Sequence, residues 1–477
     1  MPLILRTHGG KTKSGLRERG SSCRRLQALI VINHKPPLES CMSHTTEHQV
    51  TQPVHWRVIA AAVAGNVFEV YDFVIYAYFA VYIGQAFFPV SGDYGSLLVA
   101  TATFGVGFFT RPLGALFIGS YADRVGRKPA MILTVTLITL GTLGIALTPT
   151  YAAIGMAAPV IIVLCRLIQG VALGGEVGPA ASLLIESAPA DKRGRYACWQ
   201  IASQGIAVFF GGLFGVIITS SLSAEAVQSW GWRLPFVFSL LMVPLTIYIR
   251  RHLPETLLET VKKEKNTRHH LKGMWREHRS ILIIGLGIMM VASIASQLIN
   301  YMTSYAIKTL HLSPGIAQTS ILIAGLITFF GALVAGRLCD RYGRKKVLVL
   351  PVLALCVVII PLFSWLHQAP DAMRLLTVTC IISTLITFPT TAVLVIVPEM
   401  LPAHYRSTGT SLIYAIGSAL FGGSTHFILT ALLAWTNHPV APAYYVLLAA
   451  AVSLCAMSVL PETRGETVKS RARQFVD

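Results

Sequence analysis

The sequence predicts an all-α membrane protein with twelve transmembrane helices in two six-helix repeats. Three observations predict it. Of 477 residues, 54% are hydrophobic and only 13% are charged, against about 25% charged in a soluble globular chain. Apolar runs long enough to cross a bilayer, which takes roughly 20 residues, recur along most of the length. Three short polar patterns then occur twice, in the same order. Such a composition excludes a water-soluble enzyme and is far too apolar for a disordered chain.

The apolar runs lie near 58–82, 97–121, 130–148, 157–184, 198–221, 233–250, 280–306, 315–338, 347–366, 375–398, 407–435 and 441–460. In lipid each segment must satisfy its own backbone polar groups, so these runs are helices rather than an open sheet. A barrel would show shorter, alternating segments. Twelve spans place both termini on one side. Lys and Arg choose the side. One set of connections holds Arg124, Arg127 and Lys128, then Lys192, Arg193 and Arg195, nine basic residues between Arg250 and Arg279, Arg341 to Lys346, and Arg464 to Arg473. The opposite set holds Lys308 and Arg374. The positive-inside rule therefore makes both termini cytoplasmic. The net charge of +18 reads as this orientation signal and not as a nucleic-acid surface.

Residues 1–54 read as a disordered, basic N-terminal extension, with Met42 as the working start. Leu26–Ile32 is too short to span. Gly10-Lys11-Thr12 resembles the end of a phosphate loop, but position 5 is Leu and no strand–helix context surrounds it. The eight cysteines include no CxxC pair, so neither a disulfide framework nor a metal site is expected.

The duplication is explicit. Gly119-Ser-Tyr-Ala-Asp123-Arg124-Val-Gly126-Arg127-Lys128 recurs as Gly336-Arg-Leu-Cys-Asp340-Arg341-Tyr-Gly343-Arg344-Lys345. Glu186, Pro189, Ala190 and Arg193 recur at the same spacing as Glu399, Pro402, Ala403 and Arg406, and Leu253-Pro-Glu-Thr256 recurs as Leu460-Pro-Glu-Thr463. The expected organisation is a six-helix bundle over 55–252, a linker over 253–279, a second bundle over 280–461 and a tail over 462–477. Parallel repeats of this kind mark transporters, with the binding site near the bilayer midplane between them.

Within the spans, ionisable residues are the functional candidates. Asn66, Glu69, Asp72 and Tyr76 share one face of the first helix by their spacing of three and four. Two carboxylates there cost about 2.5–3.5 kcal/mol each on insertion scales, so they face the interior. Crowded acids in low dielectric resist ionising together and can titrate as a pair; the alternative is permanent neutralisation by Arg. Arg111 and Arg166 are buried forks suited to a carboxylate. Their partner is either a substrate or one of Glu69, Asp72 and Glu176. Gly170, Gly174 and Gly178 read as a helix-packing stripe. Gln200, Ser203 and Gln204 form a polar stripe on the fifth helix, matched by Gln297, Asn300, Tyr301 and Ser304 on the seventh. Each stripe serves either substrate or a neighbouring helix.

The doubled G-x-x-x-D-R-x-G-R-K motif, the doubled E-x6-R and the helix-end Pro-Glu-Thr resemble the major facilitator superfamily over roughly residues 55–465. Gly65-Asn66-Val-Phe-Glu69-Val-Tyr71-Asp72-Phe73, Arg111-Pro112-Leu113-Gly114, Arg166-Leu-Ile-Gln169-Gly170 and Trp230-Gly231-Trp232-Arg233-Leu-Pro235 resemble its metabolite–proton symporters, and the Trp199-Gln200…Ser203-Gln204 run is similar to the citrate and tricarballylate branch. The resemblance implies a proton-coupled carrier of a small carboxylate, citrate or a related tricarboxylate first. The other choices are 2-oxoglutarate or another dicarboxylate, shikimate, or proline and betaine. It implies proton coupling by Glu69, Asp72 and Glu176. Substrate binding falls to Asn66, Tyr76, Arg111, Arg166, Gln169, Gln200, Gln204, Asn300 and Tyr301. A cytoplasmic gate would be built from Asp123, Arg124, Arg127, Glu186, Arg193, Asp340, Arg341, Arg344, Glu399 and Arg406.

One departure stands out. After Phe421-Gly422-Gly423 the family usually has Pro about three residues on, whereas this chain has Ser424-Thr425-His426. His426 reads as hydrogen-bonded packing or as an extra proton site. The expectation is a functional monomer in a bacterial inner membrane, working on a small molecule and a proton within the lipid bilayer. No enzyme activity, nucleic acid, metal or cofactor besides the proton is expected. A membrane sensor on the same fold would be expected to carry a soluble signalling domain, for which the stretch after Pro461 leaves little room.

Overall fold

The computed structural model describes residues 56–125, 127–174, 184, 188–189, 191–251, 267–402, 406–460 and 462. Every described residue belongs to one compact unit within 51–477. The N-terminal extension, Gly178, Glu176, Glu186, the side chains of Asp123, Arg124 and Arg127, and the tail beyond Glu462 lie outside the described residues.

All regular structure among the described residues is helical. The main helices are α1 (Trp56–Tyr78), α2 (Ala80–Phe87), α3 (Gly95–Phe109), α4 (Arg111–Val125), α5 (Arg127–Leu147), α6 (Ala157–Leu173), α7 (Arg193–Ser221) and α8 (Leu234–Arg251). The second half continues with α9 (Thr267–Lys308), α10 (Pro314–Tyr342), α11 (Arg344–Gln368), α12 (Ala372–Met400), α13 (Arg406–Gly417), α14 (Gly423–Thr436) and α15 (Ala441–Ser458). Nine helical stretches among the described residues are long and apolar enough to cross a membrane. The bent pair α1–α2 makes a tenth, and the shorter apolar helices Ile132–Leu147 and Ala157–Leu173 supply the other two of the twelve. Large apolar side chains remain on the outside, Phe117 at 68%, Val357 at 74% and Trp435 at 79% exposure among them. Water would penalise such a surface; lipid does not.

Four spans differ from the uninterrupted helices that the sequence predicts. The first breaks at Phe79 and bends by 64°, and the Tyr78 carbonyl near the break accepts a hydrogen bond from Gln318 Nε2 at 3.2 Å. The second is interrupted at Thr110, just before Arg111-Pro112, as expected of a residue close ahead of proline. The seventh starts at Thr267, so the helix takes in the end of the stretch expected to be linker. The eleventh contains a π-helical turn at Ser418–Gly422, a feature often found at functional sites.

Glycine sets how closely the helices approach. The most extensive helix contact among the described residues joins α7 to α10, one from each half. A Cβ at Gly205 would sit 2.5 Å from the Phe329 backbone nitrogen. Within the first half, Gly170 and Gly174 lie against the backbones of Gly107 and Arg111, which is the packing the small-residue stripe predicts.

Candidate functional site

The inner face of α1 meets α5, α6 and α8 at Asp72, which is 2% exposed. Its carboxylate accepts hydrogen bonds from Thr142 Oγ1, from Ser239 Oγ at 2.8 Å and from Gln169 Nε2 at 2.8 Å. A bare carboxylate could not persist in this interior; three donors replace its water. Gln169 also accepts from Arg166 NH1 at 2.8 Å. Gln169 therefore bridges acid and base: Arg166 and Asp72 are joined through one amide rather than by a direct ion pair. The spacing of three between Arg166 and Gln169 on α6 makes the bridge possible.

Arg166 is fully buried in an aromatic box. Its guanidinium carbon lies 4.3 Å from the Tyr76 ring centre, 4.6 Å from Phe73 and 5.1 Å from Phe104. Arg111 packs at 4.6 Å from Phe73 and 4.1 Å from Phe108. Aromatic faces hold the cations electrostatically but take up few of their N–H groups. Arg166 Nε and NH2 and Arg111 Nε are buried with no hydrogen-bond partner among the described residues. Glu69, buried at 4% exposure, lies within electrostatic reach of Arg111. The arrangement offers an anion three buried N–H-bearing nitrogens that lack partners among the described residues, two on Arg166 and one on the half-buried Arg111.

Asn66 faces α7. It exchanges side-chain bonds with Ser203 Oγ at 2.6 Å and Gln200 at 3.1 Å, so in this state the fifth-span stripe is tied to the first span. Tyr76 donates to the Ala100 carbonyl at 3.3 Å. Asn300 accepts from Tyr78 at 3.0 Å, across the two halves, and donates to Gln297 at 3.4 Å. Tyr301 accepts from Thr430 at 3.0 Å. Gln204 is half-buried on α7.

A second polar cluster closes the end that carries the basic loops. Asp340, at the end of α10, accepts the backbone N–H groups of Gly194 at 2.8 Å and Arg195 at 3.0 Å. A carboxylate from one half thus occupies the N-terminus of α7 in the other, where unsatisfied N–H groups and the helix dipole favour an anion. Arg344 lies 3.7 Å from Asp340 and 3.4 Å from Glu399. Glu399 also meets Arg193 of the first half at 3.4 Å. Arg406 donates to the Pro398 carbonyl at 3.0 Å, and Arg341 rests 5.3 Å from the Tyr342 ring. Glu462, of the Pro-Glu-Thr pattern, receives the first N–H groups of α11 from Arg344 at 2.8 Å and Lys345 at 3.1 Å. The turn between α10 and α11 needs Gly343, whose φ is +100°. At the opposite end a cavity of about 510 Å³ is lined by Tyr82, Asp93, Tyr94, Lys308 and His311 among others.

A family model described as the Major Facilitator Superfamily matches residues 59–425. The chain belongs to that superfamily. It is similar to a citrate-proton symporter of Klebsiella pneumoniae, 35% identical over 84% of this chain and 91% of that protein. It is also similar to an alpha-ketoglutarate permease of Escherichia coli (strain K12), 30% identical over 79% of this chain and 87% of that protein. The crystal structure of a D-xylose-proton symporter superposes with a TM-score of 0.71 at 17% identity, covering 86% of this chain and 99% of that chain. That likeness establishes the fold. The superfamily and these relatives are transporters and not enzymes, so this member is a multi-pass membrane transporter with the twelve-helix fold.

In this superfamily member, the positions that sequence reasoning missed are the supports. Thr142 and Ser239 hold Asp72, and Phe73, Phe104 and Phe108 carry the arginines. A lone Thr or Ser in an apolar run has no local signature. The nearest available signal was the proximity of Phe73 to Asp72 in sequence. Among the described residues expected to form a gate, the doubled motifs located the cluster but not its partners: Glu399 reaches across to Arg193.

Proposed function

We propose that this transporter is a proton-coupled secondary carrier that imports a small carboxylate, citrate or a related tricarboxylate first, by alternating access. The observation that carries the reading is the fully buried Arg166, with Nε and NH2 unpartnered among the described residues, and the half-buried Arg111, with a buried unpartnered Nε, beside a carboxylate that Gln169 connects to Arg166 NH1. The names of the carboxylate-transporting relatives support the same class.

The mechanism follows from the linkage. An anionic substrate takes up the unpartnered Arg166 Nε and NH2 and Arg111 Nε. The positive field that Arg166 exerts on Asp72 is then shared with the substrate, which favours a proton on Asp72 or Glu69. Loaded with both, the site is neutral enough for the halves 55–252 and 280–461 to rock about it. The Asp340–α7 latch releases at the basic end, which the positive-inside reading makes cytoplasmic. Glu176 is a further proton-coupling candidate. In this reading the functional unit is a monomer, placed in the bacterial inner membrane.

Uptake of labelled citrate, 2-oxoglutarate, shikimate and proline into proteoliposomes, with and without an inward acid gradient, tests this. The reading expects the carboxylates to accumulate and the gradient to drive them, citrate most strongly. Accumulation of proline alone favours the zwitterion carrier instead.

A further inference from the structure

We infer that His426 is the second half's anchor for the substrate, a hydrogen-bonding residue that works opposite Arg166 on the same bound carboxylate compound. The inference rests on the carboxylate reading above and names a residue which that reading does not use.

His426 lies in α14, one turn beyond the π-helical segment Ser418–Gly422, at 1% exposure. Its ring packs on Phe104 of α3, with centres 4.5 Å apart, and against Tyr301 of α9 at 5.5 Å. Phe104 is also a wall of the Arg166 box, at 5.1 Å from that guanidinium. Imidazole and guanidinium therefore share one aromatic ring at the boundary between the halves, and they are within electrostatic reach of each other.

Both ring nitrogens of His426 are buried with no well-formed hydrogen bond among the described residues, the Gln297 backbone being a polar neighbour. An imidazole always presents one N–H donor, and in its neutral form one acceptor. At most one of the two is met, by the Gln297 backbone at poor geometry, and leaving the other bare in an apolar interior is costly. A leucine or phenylalanine would fill the space without that cost, so packing does not explain histidine here. Arg166, beside the same Phe104 ring, has Nε and NH2 without partners among the described residues. A ligand with oxygens at both ends, such as a di- or tricarboxylate, satisfies both sets and ties the two halves together. The close approach of Gly105 and Gly423, where a Cβ on Gly105 would strike the Gly423 carbonyl oxygen, brings α14 near enough to α3 for this.

The test uses the purified full-length protein with citrate and 2-oxoglutarate as probes, comparing wild type, His426→Leu and His426→Gln. Uptake KM and the substrate-induced rise in thermal midpoint are both read. For His426→Leu we expect KM to increase about 10- to 100-fold, the loss of a hydrogen bond to a charged group, and the substrate-induced rise to shrink. Its midpoint without substrate should be unchanged or higher. His426→Gln, which keeps a donor and an acceptor, should recover part of the affinity. An unchanged KM in His426→Leu, alongside carboxylate uptake by the wild type, overturns this inference alone. A lowered midpoint of the empty Leu variant shows that the imidazole holds the fold and likewise overturns it. Failure of the wild type to take up either acid overturns the carboxylate reading and this inference together.

Discussion

The Asp340 carboxylate accepts the backbone N–H of Gly194 at 2.8 Å, binding the last turn of α10 to the first turn of α7 across the boundary between the two halves. The same carboxylate takes the Arg195 N–H and lies near Arg344. The contact is a charge on a helix terminus more than an ion pair, so it depends on helix geometry that exists only while the halves are aligned. Moving the two helix ends apart removes both backbone bonds at once, while the Arg344 contact, inside the second half, stays. A carboxylate at a helix N-terminus contributes up to about 2 kcal/mol when partly buried, small enough for a bound substrate to overcome.

Asp340→Asn should therefore shift the population toward an open basic end by roughly 5- to 30-fold, the equivalent of about 1–2 kcal/mol. Cys198, buried one turn into α7, reports this shift. Its alkylation by a water-soluble reagent, mapped by mass spectrometry, should speed up several-fold while the thermal midpoint changes little. Asp123→Asn, at the repeat-equivalent position, should slow uptake in a protein that still folds and binds. Full uptake by both variants argues that neither acid gates.

Asp72→Asn should separate binding from energy coupling. The amide retains a partner for Thr142 and Ser239 yet carries no exchangeable charge. Counterflow of labelled citrate should persist at a reduced rate, and accumulation driven by an acid gradient should be lost. Glu69→Gln is the matched comparison. Undiminished gradient-driven accumulation in both variants removes these residues from the coupling step.

Arg166→Lys keeps the charge but not the planar fork, and an ammonium cannot both lie flat in the aromatic box and hold Gln169 in the same way. Citrate KM should rise about 10- to 100-fold, in keeping with the loss of a charge-assisted bond. Counterflow in proteoliposomes, titrated with unlabelled citrate, measures it. Wild-type affinity in this variant would place the substrate elsewhere.

Gly205→Val should force α7 from α10, because the added atoms meet the Phe329 backbone rather than a movable side chain. Overpacking of this kind costs about 1–3 kcal/mol, read as a lower thermal midpoint in detergent. Gly315→Ala is the control: its Cβ would have 3.7 Å to the nearest neighbour, Thr219 Oγ1, and the midpoint should hold.

Much of this arrangement is legible in the sequence because membrane helices are specified locally. Apolar length fixes the spans, and the repeated Asp–Arg motifs mark the helix ends. Asp72 and Arg166 are visible because charge inside an apolar run is costly. What joins them is not visible. Thr142, Ser239 and the Phe104 ring arrive from other helices, and no local pattern announces them. The bend at Phe79 has neither Pro nor Gly at the break; Gln318, 240 positions away in the chain, meets the Tyr78 carbonyl there. The π-turn before His426 is equally silent, although two glycines follow within it and beside it. Contacts between the halves are set by how two bundles face each other, and sequence periodicity describes only each bundle's inside and outside.

The most direct measurement of the central claim is proton entry that accompanies substrate. Purified protein is reconstituted into liposomes that contain a pH-sensitive dye, and citrate is added outside with no gradient imposed. The account predicts acidification of the lumen that tracks labelled citrate uptake in the wild type and is lost in Asp72→Asn. Citrate entry with an unchanging internal pH, or equal acidification in the variant, contradicts it.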